Sequence, residues 1–458
     1  MSGEISIKSG TPYKRMFRSS TSKAWFKLAD IVSGRETQRS LKSLLQSQYW
    51  NHERLSELQN RKLAVVLDAM KRFSHILNLP ESIEKTEQQS LQEHLQKYPV
   101  LEKSDVRGLI SQYLESEISR NHDSVAAHTS GSSGEPLKIY RTKKAHGDGW
   151  AATVRAWSWA GYSIGDPISI IGIHRPSVTH RFWNRVSNTN FLSVYGLSEE
   201  TAESYLRSIE SHGSEFIRGY GSAIFILASF QDRLNLDIRL KNIMTTGETL
   251  YDFYRKKIED VFDCEVFDGY GSNEVNSVAF ECEMHNGYHI TAENCIAEIL
   301  EANNQTKAGR LVLTDLCNPI IPIVRYSIGD LAYPMRGNDD CDCGRNLPML
   351  GGILGRDTDI ITTIDGRFLI VHFFTVFFEK HDEVNQFRIV QLDDNIIEVE
   401  LVVNESCTQD HLKIIEREIS EYAGPKTKIQ IKLLDEIPAG PRGKRRFMIA
   451  NQSVESVL

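Results

Sequence analysis

The sequence predicts an α/β protein of about two or three domains, with a smaller α+β unit towards its C-terminal end. Three observations predict it. The chain has 458 residues, more than one compact core usually holds. From about residue 125, short apolar runs alternate with helical ones, the pattern of a sheet flanked by helices. After residue 355 the pattern shortens to strand, strand, helix, strand.

The elements follow in order. Residues 8–42 are rich in lysine and arginine, with Phe17, Trp25, Phe26 and Leu28 among them, a basic amphipathic stretch suited to a partner or a membrane surface. Leu63, Val66, Leu67, Met70, Phe73 and Leu77 recur at three- and four-residue spacing and predict a helix with one apolar stripe. "NLPES" stops it, and Ser104 or Asp105 is placed to cap the next helix. "PISIIGI" (167–173), "NIMTT" (242–246), "CEVFDGYG" (264–271) and "CIAEIL" (295–300) read as strands, and "ESYLRSIE" and "YDFYRKKIEDVF" as helices between them. "AIFILASF" is a buried segment of either type, too short to span a membrane. "GRLVLTDL" and "IIPIVRYSIGDLAY" add strands. "QFRIVQL", "IIEVELVV", "HLKIIEREISEY" and "KIQIKLL" form the small C-terminal unit.

Composition narrows the function classes. Hydrophobic residues make up 40% and charged residues 25%, as in ordinary globular proteins. A net charge of −8 argues against a general nucleic-acid binder. Seven cysteines, with no apolar segment behind the basic N-terminus, predict a reducing, cytoplasmic setting.

The motifs begin with "AHTSGSSGEPLKIYR" (127–141). Its glycines, hydroxyls and bare N–H groups suit phosphate, but the lysine of a P-loop is missing and a plain surface turn has the same composition. "TTGETL" (245–250) follows, then "DGYGSNEVNS" (268–277), which sets Glu274 where a strand turns. "VRYSIGDLA" (324–332) ends an apolar strand at Asp330, "GRDTDII" (355–361) opens the small unit, and "GPRGKRRFMIA" (440–450) puts Lys444 between flexible residues. Singly, each has a bland reading as a helix cap or a solvated charge.

Taken in this order, the motifs resemble those of the adenylate-forming superfamily of acyl-CoA synthetases and ligases. "YPVLEKSDVR", "FIRGYGSAIFILASF" and "CDCGRNLPMLGGILGR" are similar to the phenylacetate–CoA ligase-like branch that includes capsule-biosynthesis ligases. The resemblance implies a large adenylation domain of mixed sheets with packed helices and a small mobile α+β lid. The corresponding division is a helical extension over 1–105, a core over 106–355 and a C-terminal domain over 356–458. It implies ATP- and Mg²⁺-dependent activation of a carboxylic acid as an acyl-adenylate, then transfer to a thiol (coenzyme A included) or an amine. Polysaccharide or secondary-metabolite biosynthesis would be the setting.

By the same resemblance, Thr129, Ser130, Gly131, Ser132, Ser133 and Gly134 would hold the β- and γ-phosphates. Glu274 would bind Mg²⁺, Asp330 would accept the ribose hydroxyls and Arg356 would contact ribose or phosphate. Gly247, Glu248, Asp268, Gly269, Tyr270, Gly271 and Ser272 would line the nucleotide site. Gly219, Tyr220, Gly221 and Ser222 would shape the acyl pocket with His174 and Arg175. The charged stretch around those last two predicts a polar or anionic acid. Lys444 would stabilise the transition state and leave when the small domain rotates about 356–359. The usual hinge aspartate is replaced by Thr358, between Asp357 and Asp359. A homodimer and membrane contact through the basic N-terminus stay open.

Cys282, Cys341 and Cys343, with His289 as the fourth ligand and His285 as the alternative, suit a tetrahedral structural zinc site, which the branch also resembles in carrying; buried free thiols are the bland alternative. Two further functions compete with the ligase. One is an aryl-CoA ligase, the other a non-catalytic nucleotide- or zinc-binding interaction protein.

Overall fold

The computed structural model describes residues 20–77, 91–116, 119, 124–128, 137–172, 184, 187–194, 197, 199–300, 309–335, 341–354, 360–365, 367–378, 380–393, 395–437 and 447–449. Helices α1 (Ser20–Ser33), α2 (Thr37–Ser47) and α3 (His52–Met70) come first. Helix α1 leaves Leu28, Ile31 and Val32 exposed. Helix α3 starts because the Asn51 side chain accepts the Arg54 N–H, and it buries Leu63, Val66, Leu67 and Met70 as the spacing predicts. A 3₁₀ turn over Lys71–Phe73 and a short helix over Ser74–Leu77 continue the stripe. Helix α4 (Lys103–Glu115) begins differently from expectation. Neither Ser104 nor Asp105 is its N-cap. Glu102 is, and Asp105 on the first turn accepts the Glu102 N–H at 2.7 Å.

Strands β1 (Ser124–His128) and β2 (Lys138–Thr142) form an antiparallel pair on either side of the Gly/Ser-rich loop. Helix α5 (Lys143–Trp159) starts at Thr142, whose hydroxyl accepts the Ala145 N–H at 3.0 Å. Its Gly149 faces Asn276 so closely that no Cβ would fit.

The central sheet has eleven strands and two halves. In the parallel half the order is β4 (Thr189–Ser193), β3 (Ile168–Gly172), β5 (Phe216–Gly219), β6 (Asn242–Thr246) and β7 (Glu265–Ser272). Parallel neighbours need crossovers, and helices α6 (Glu199–His212), α7 (Gly221–Arg233) and α8 (Asp252–Phe262) supply them. Alternation along each strand sends Ile217, Ile243 and Val266 to the core under these helices. It sends Phe216, Met244 and Phe267 to the opposite core with Trp157 of α5. The "AIFILASF" segment lies in α7 and is buried all round, which explains its unbroken apolar run.

The antiparallel half continues through β8 (Asn276–Phe280), β9 (Tyr288–Ile290), β13 (Met349–Leu354), β12 (Tyr326–Pro334), β11 (Gly309–Asp315) and β10 (Cys295–Leu300). Residues 320–325, read as part of a strand from their apolarity, instead lead into β12 as buried irregular chain. The two halves join at the β7–β8 pair, so "GYGSNE" marks the change from parallel to antiparallel.

The C-terminal unit opens with a pair, β14 (Ile360–Thr362) and β15 (Phe368–Ile370), and helix α9 (Val371–Phe378). A four-stranded sheet follows from β16 (Val384–Asp393), β17 (Ile396–Val403), β18 (Lys428–Leu433) and β19 (Met448–Ile449), in the order β18-β17-β16-β19. Helix α10 (Gln409–Ala423) connects β17 to β18. The aromatic run of α9 is core. Phe373 lies 3.5 Å from Tyr422 between ring centroids, and Phe378 stacks on Phe387 at 4.5 Å. Among the described residues no helix is long and apolar enough to cross a membrane.

Candidate functional site

In an open sheet with parallel strands, ligands bind outside the carboxyl ends of those strands. Here the ends of β5, β6 and β7 lie side by side, with Gly219 opposite Thr245 and Thr245 opposite Asp268. Gly219 passes Ile171 so closely that a Cβ would sit 2.8 Å from the isoleucine Cβ. Tyr220, Gly221 and Ser222 then turn the chain into α7. Gly247, after β6, has a φ of +83°, which favours glycine. That turn sends Glu248 back to the start of α7, where its carboxylate accepts the Ser222 N–H at 3.1 Å. Burial raises the Glu248 pKa. Its other oxygen, and the Ser222 hydroxyl, are buried without a hydrogen-bond partner among the described residues.

Asp268 faces away from Gly269. It accepts hydrogen bonds from the Thr245 hydroxyl at 2.5 Å and the Tyr288 hydroxyl at 2.8 Å. Next to it, Glu281 accepts the Asp268 N–H at 2.8 Å and pairs with Arg255 at 2.7 Å. Burial pushes the Asp268 carboxyl up to about 6, and the Glu281 charge adds to the shift. The Thr245 and Tyr288 bonds and Arg255 oppose it.

The β7–β8 turn gathers the remaining motif residues. Gly271 crosses the Asn276 carbonyl so closely that a Cβ would meet its oxygen at 2.9 Å. The Ser272 hydroxyl accepts the Val275 N–H at 3.0 Å, which shapes the turn that carries Glu274. The Tyr270 hydroxyl donates to Asp330 at 2.7 Å. Asp330 sits within β12 rather than at its end, as the sequence suggested. Tyr326 of the same strand reaches Glu274 at 3.5 Å. The motifs "GYGSNE" and "RYSIGDLA", about sixty residues apart, thus meet through two side-chain pairs.

One participant escaped the sequence reading. Arg141 on β2, directly after the Gly/Ser-rich loop, donates to the Asn273 carbonyl in the same turn. Burial lowers its pKa, while Asp315 and Glu274 hold its charge. It ends the quoted loop motif, so its position was visible and its role was not. Thr129, Ser130, Gly131, Ser132, Ser133, Gly134, His174, Arg175, Arg356 and Lys444 lie outside the described residues.

A second constellation sits beside β9. The ligand atoms of Cys282, His289, Cys341 and Cys343 all lie within 4.8 Å of one another. Cys282 Sγ and Cys341 Sγ are 3.7 Å apart, and Cys343 Sγ lies 3.3 Å from His289 Nε2. Tetrahedral zinc with Zn–S near 2.3 Å sets two thiolates about 3.8 Å apart, so the donor set fits the ion. With its proton on Nδ1, His289 donates to the Leu347 carbonyl at 3.4 Å and keeps Nε2 for a metal. Burial pushes the His289 imidazole down to about 4, which keeps it neutral. The Met284 and Arg345 N–H groups each approach a cysteine sulfur at 3.5 Å. His285 is not among the four. It lies 3.5 Å from Glu281 and packs on Phe267 at 4.8 Å.

Comparison with known proteins shows what the chain is similar to. A family model described as the CapK C-terminal domain matches residues 361–451. Protein CapK of Staphylococcus aureus is 24% identical over 277 residues, covering 59% of this chain. The chain thereby spans 61% of that relative's length. Among solved structures, 2-hydroxyisobutyryl-CoA ligase in complex with 2-HIB-AMP and CoA in the thioesterification state superposes with a TM-score of 0.56. Identity there is 19%, over 88% of this chain and 93% of that one. The same ligase in its postadenylation state with R3-HIB-AMP gives a TM-score of 0.54 at 18% identity, over 89% and 93%.

Proposed function

From a chain that has the fold of the adenylate-forming ligases and ends in a CapK-type C-terminal domain, we propose an ATP-dependent ligase that activates a carboxylic acid. The observation that carries this reading is the meeting of Tyr270, Asp330, Glu274 and Tyr326 where the two halves of the sheet join. A carboxylate oxygen of the acid attacks the α-phosphorus of ATP, and the bond to the bridging oxygen of pyrophosphate breaks. A thiol or amine then attacks the acyl carbon, the bond to the phosphate oxygen breaks, and AMP and a proton are released as the acyl group joins the acceptor.

The residues divide the work by chemistry. Asp330, held by the Tyr270 hydroxyl, accepts the ribose hydroxyls. Glu274 offers oxygen to Mg²⁺, which neutralises phosphate charge when bound. Arg141, beside Glu274, adds positive charge on the phosphate side. The Thr129–Gly134 stretch holds the β- and γ-phosphates, and Lys444 steadies the pentavalent centre. Gly219 to Ser222 and the end of β6 border the acid, and Arg356 the ribose or phosphate. The division into 1–105, 106–355 and 356–458 separates a helical extension, an adenylating core and a lid. Cys282, His289, Cys341 and Cys343 would hold a zinc ion, which would tie β9 to the segment entering β13 and supply a structural cross-link.

Coenzyme A is the acceptor to try first, because a protein of the same fold is seen with CoA. The CapK relation points to acids used in capsule or related polysaccharide assembly. A screen of carboxylic acids for pyrophosphate release, with and without coenzyme A, tests the proposal. It predicts release that depends on one class of acid. Release no greater than with ATP alone across a broad panel overturns it.

A further inference from the structure

The carboxyl end of β5 holds a positive charge with no counter-charge among the described residues. Arg218 stands there, one residue before Gly219, between Ile170 of β3 and Met244 of β6. Alternation puts it on the same face as Phe216, in the sheet surface that Trp157, Met244 and Phe267 make apolar. The side chain is half-buried, so one end of it remains reachable. Burial lowers the Arg218 pKa, and among the described residues only Tyr220 acts the other way. No described carboxylate pairs with it.

Several other arginines withdrawn from solvent have a carboxylate partner. Arg155 pairs with Glu293, Arg255 with Glu281, Arg325 with Glu298, Arg345 with Glu283 and Arg388 with Glu400. Arg141 has Asp315 and Glu274 near it. A guanidinium stays protonated at any physiological pH, and an unpaired one in an apolar wall costs stability. Among the described residues no ion pair ties Arg218 to the fold. Its position at the strand ends sets it beside the Gly219–Ser222 turn, which the ligase reading places against the acid.

We propose that Arg218 is the counter-charge for a second acidic group on the substrate, so that the enzyme takes acids carrying a distal carboxylate, phosphonate or sulfonate. The reacting carboxylate is the poorer occupant. It loses its charge when the mixed anhydride forms, so a fixed guanidinium there would favour the ground state over the transition state. A distal anion keeps its charge throughout, and a planar fork of donors matches it bidentately. This inference rests on the ligase reading above and adds the substrate class to it.

The test pairs diacids with monoacids of equal chain length, succinate against butyrate and glutarate against valerate. Two readouts are taken on full-length wild type, Arg218→Met and Arg218→Lys: pyrophosphate release with ATP, and equilibrium binding of each acid without ATP. Wild type should bind and activate the diacids better than their monoacid partners. Arg218→Met should lose roughly 30- to 1,000-fold for the diacid, mostly in KM, with the monoacids and the KM for ATP unchanged. Arg218→Lys should recover part of the loss. Because no ion pair among the described residues is broken, Arg218→Met should melt no lower than wild type.

Equal treatment of diacid and monoacid by wild type overturns the proposal. So does a rise in the KM for ATP alone, which would give Arg218 to a nucleotide phosphate, or a clear drop in melting temperature, which would make it a structural residue. Failure of the ligase reading looks different: no acid releases pyrophosphate, and the binding arm still decides whether Arg218 selects diacids.

Discussion

Changing Tyr270 to phenylalanine removes one hydroxyl and leaves the ring in place, so it isolates the bond to Asp330. That bond is 2.7 Å long and runs to a half-buried carboxylate on another strand. Hydrogen bonds to charged groups contribute about 1.5–3 kcal/mol. Partial exposure weakens this one, to about 1–2 kcal/mol. If the bond aims Asp330 at the ribose, losing it raises the KM for ATP roughly 5- to 30-fold. The acid KM stays where it was. Pyrophosphate exchange at saturating acid, with ATP titrated, measures this for Tyr270→Phe, Asp330→Asn and the double variant. Asp330→Asn should cost more than Tyr270→Phe, and the double variant little more than Asp330→Asn alone. Penalties that simply multiply would show that the two residues act separately. A change confined to the acid KM would remove Asp330 from the nucleotide site.

Three other outcomes follow from the same geometry. Purified protein should carry about one zinc per chain, and Cys341→Ser or His289→Gln should lose it with a fall in melting temperature; a metal content near zero ends the zinc assignment. Asp268 has its native carboxyl raised to about 6 from the usual 3.8 by burial and Glu281, so the folded state holds the proton longer than the unfolded one. Stability from this group is complete below about pH 4 and is lost as pH rises to about 6, by on the order of 3 kcal/mol. Denaturant melts should show that slope in wild type and not in Asp268→Asn; parallel pH profiles would contradict it. Arg155 and Glu293 are fully enclosed and 2.7 Å apart, and each has an atom without a partner among the described residues. Arg155→Met should cost about 3–5 kcal/mol, and adding Glu293→Leu should restore most of it. A double variant as unstable as the single one would refute this.

Local pattern was enough for several elements. "NIMTT", "CIAEIL" and "IIEVELVV" are the strands β6, β10 and β17, because each is a short β-prone run with a clear stop. The metal cluster was also legible, with His289 as the favoured fourth ligand, and the β8–β9 pairing that turns this histidine inward is the physical reason it is preferred to His285. Three things were not readable. Glu102 caps α4 although Ser104 is the better capping residue by type, because Asp105 completes a reciprocal bond. The join of parallel and antiparallel halves at "GYGSNE" depends on non-local pairing, which no spacing encodes. Arg218 looks in sequence like any strand arginine; it is distinguished by having no carboxylate partner among the described residues.

The most direct test of the ligase reading is acid-dependent exchange of pyrophosphate into ATP, compared between wild type and Lys444→Ala. Exchange requires the acyl-adenylate to form and reverse, and it needs no acceptor. The account predicts exchange in wild type with its acid and Mg²⁺, with loss of at least about a hundredfold in Lys444→Ala at unchanged acid binding. Exchange that persists undiminished without Lys444, or is absent with every acid that the protein binds, would contradict it.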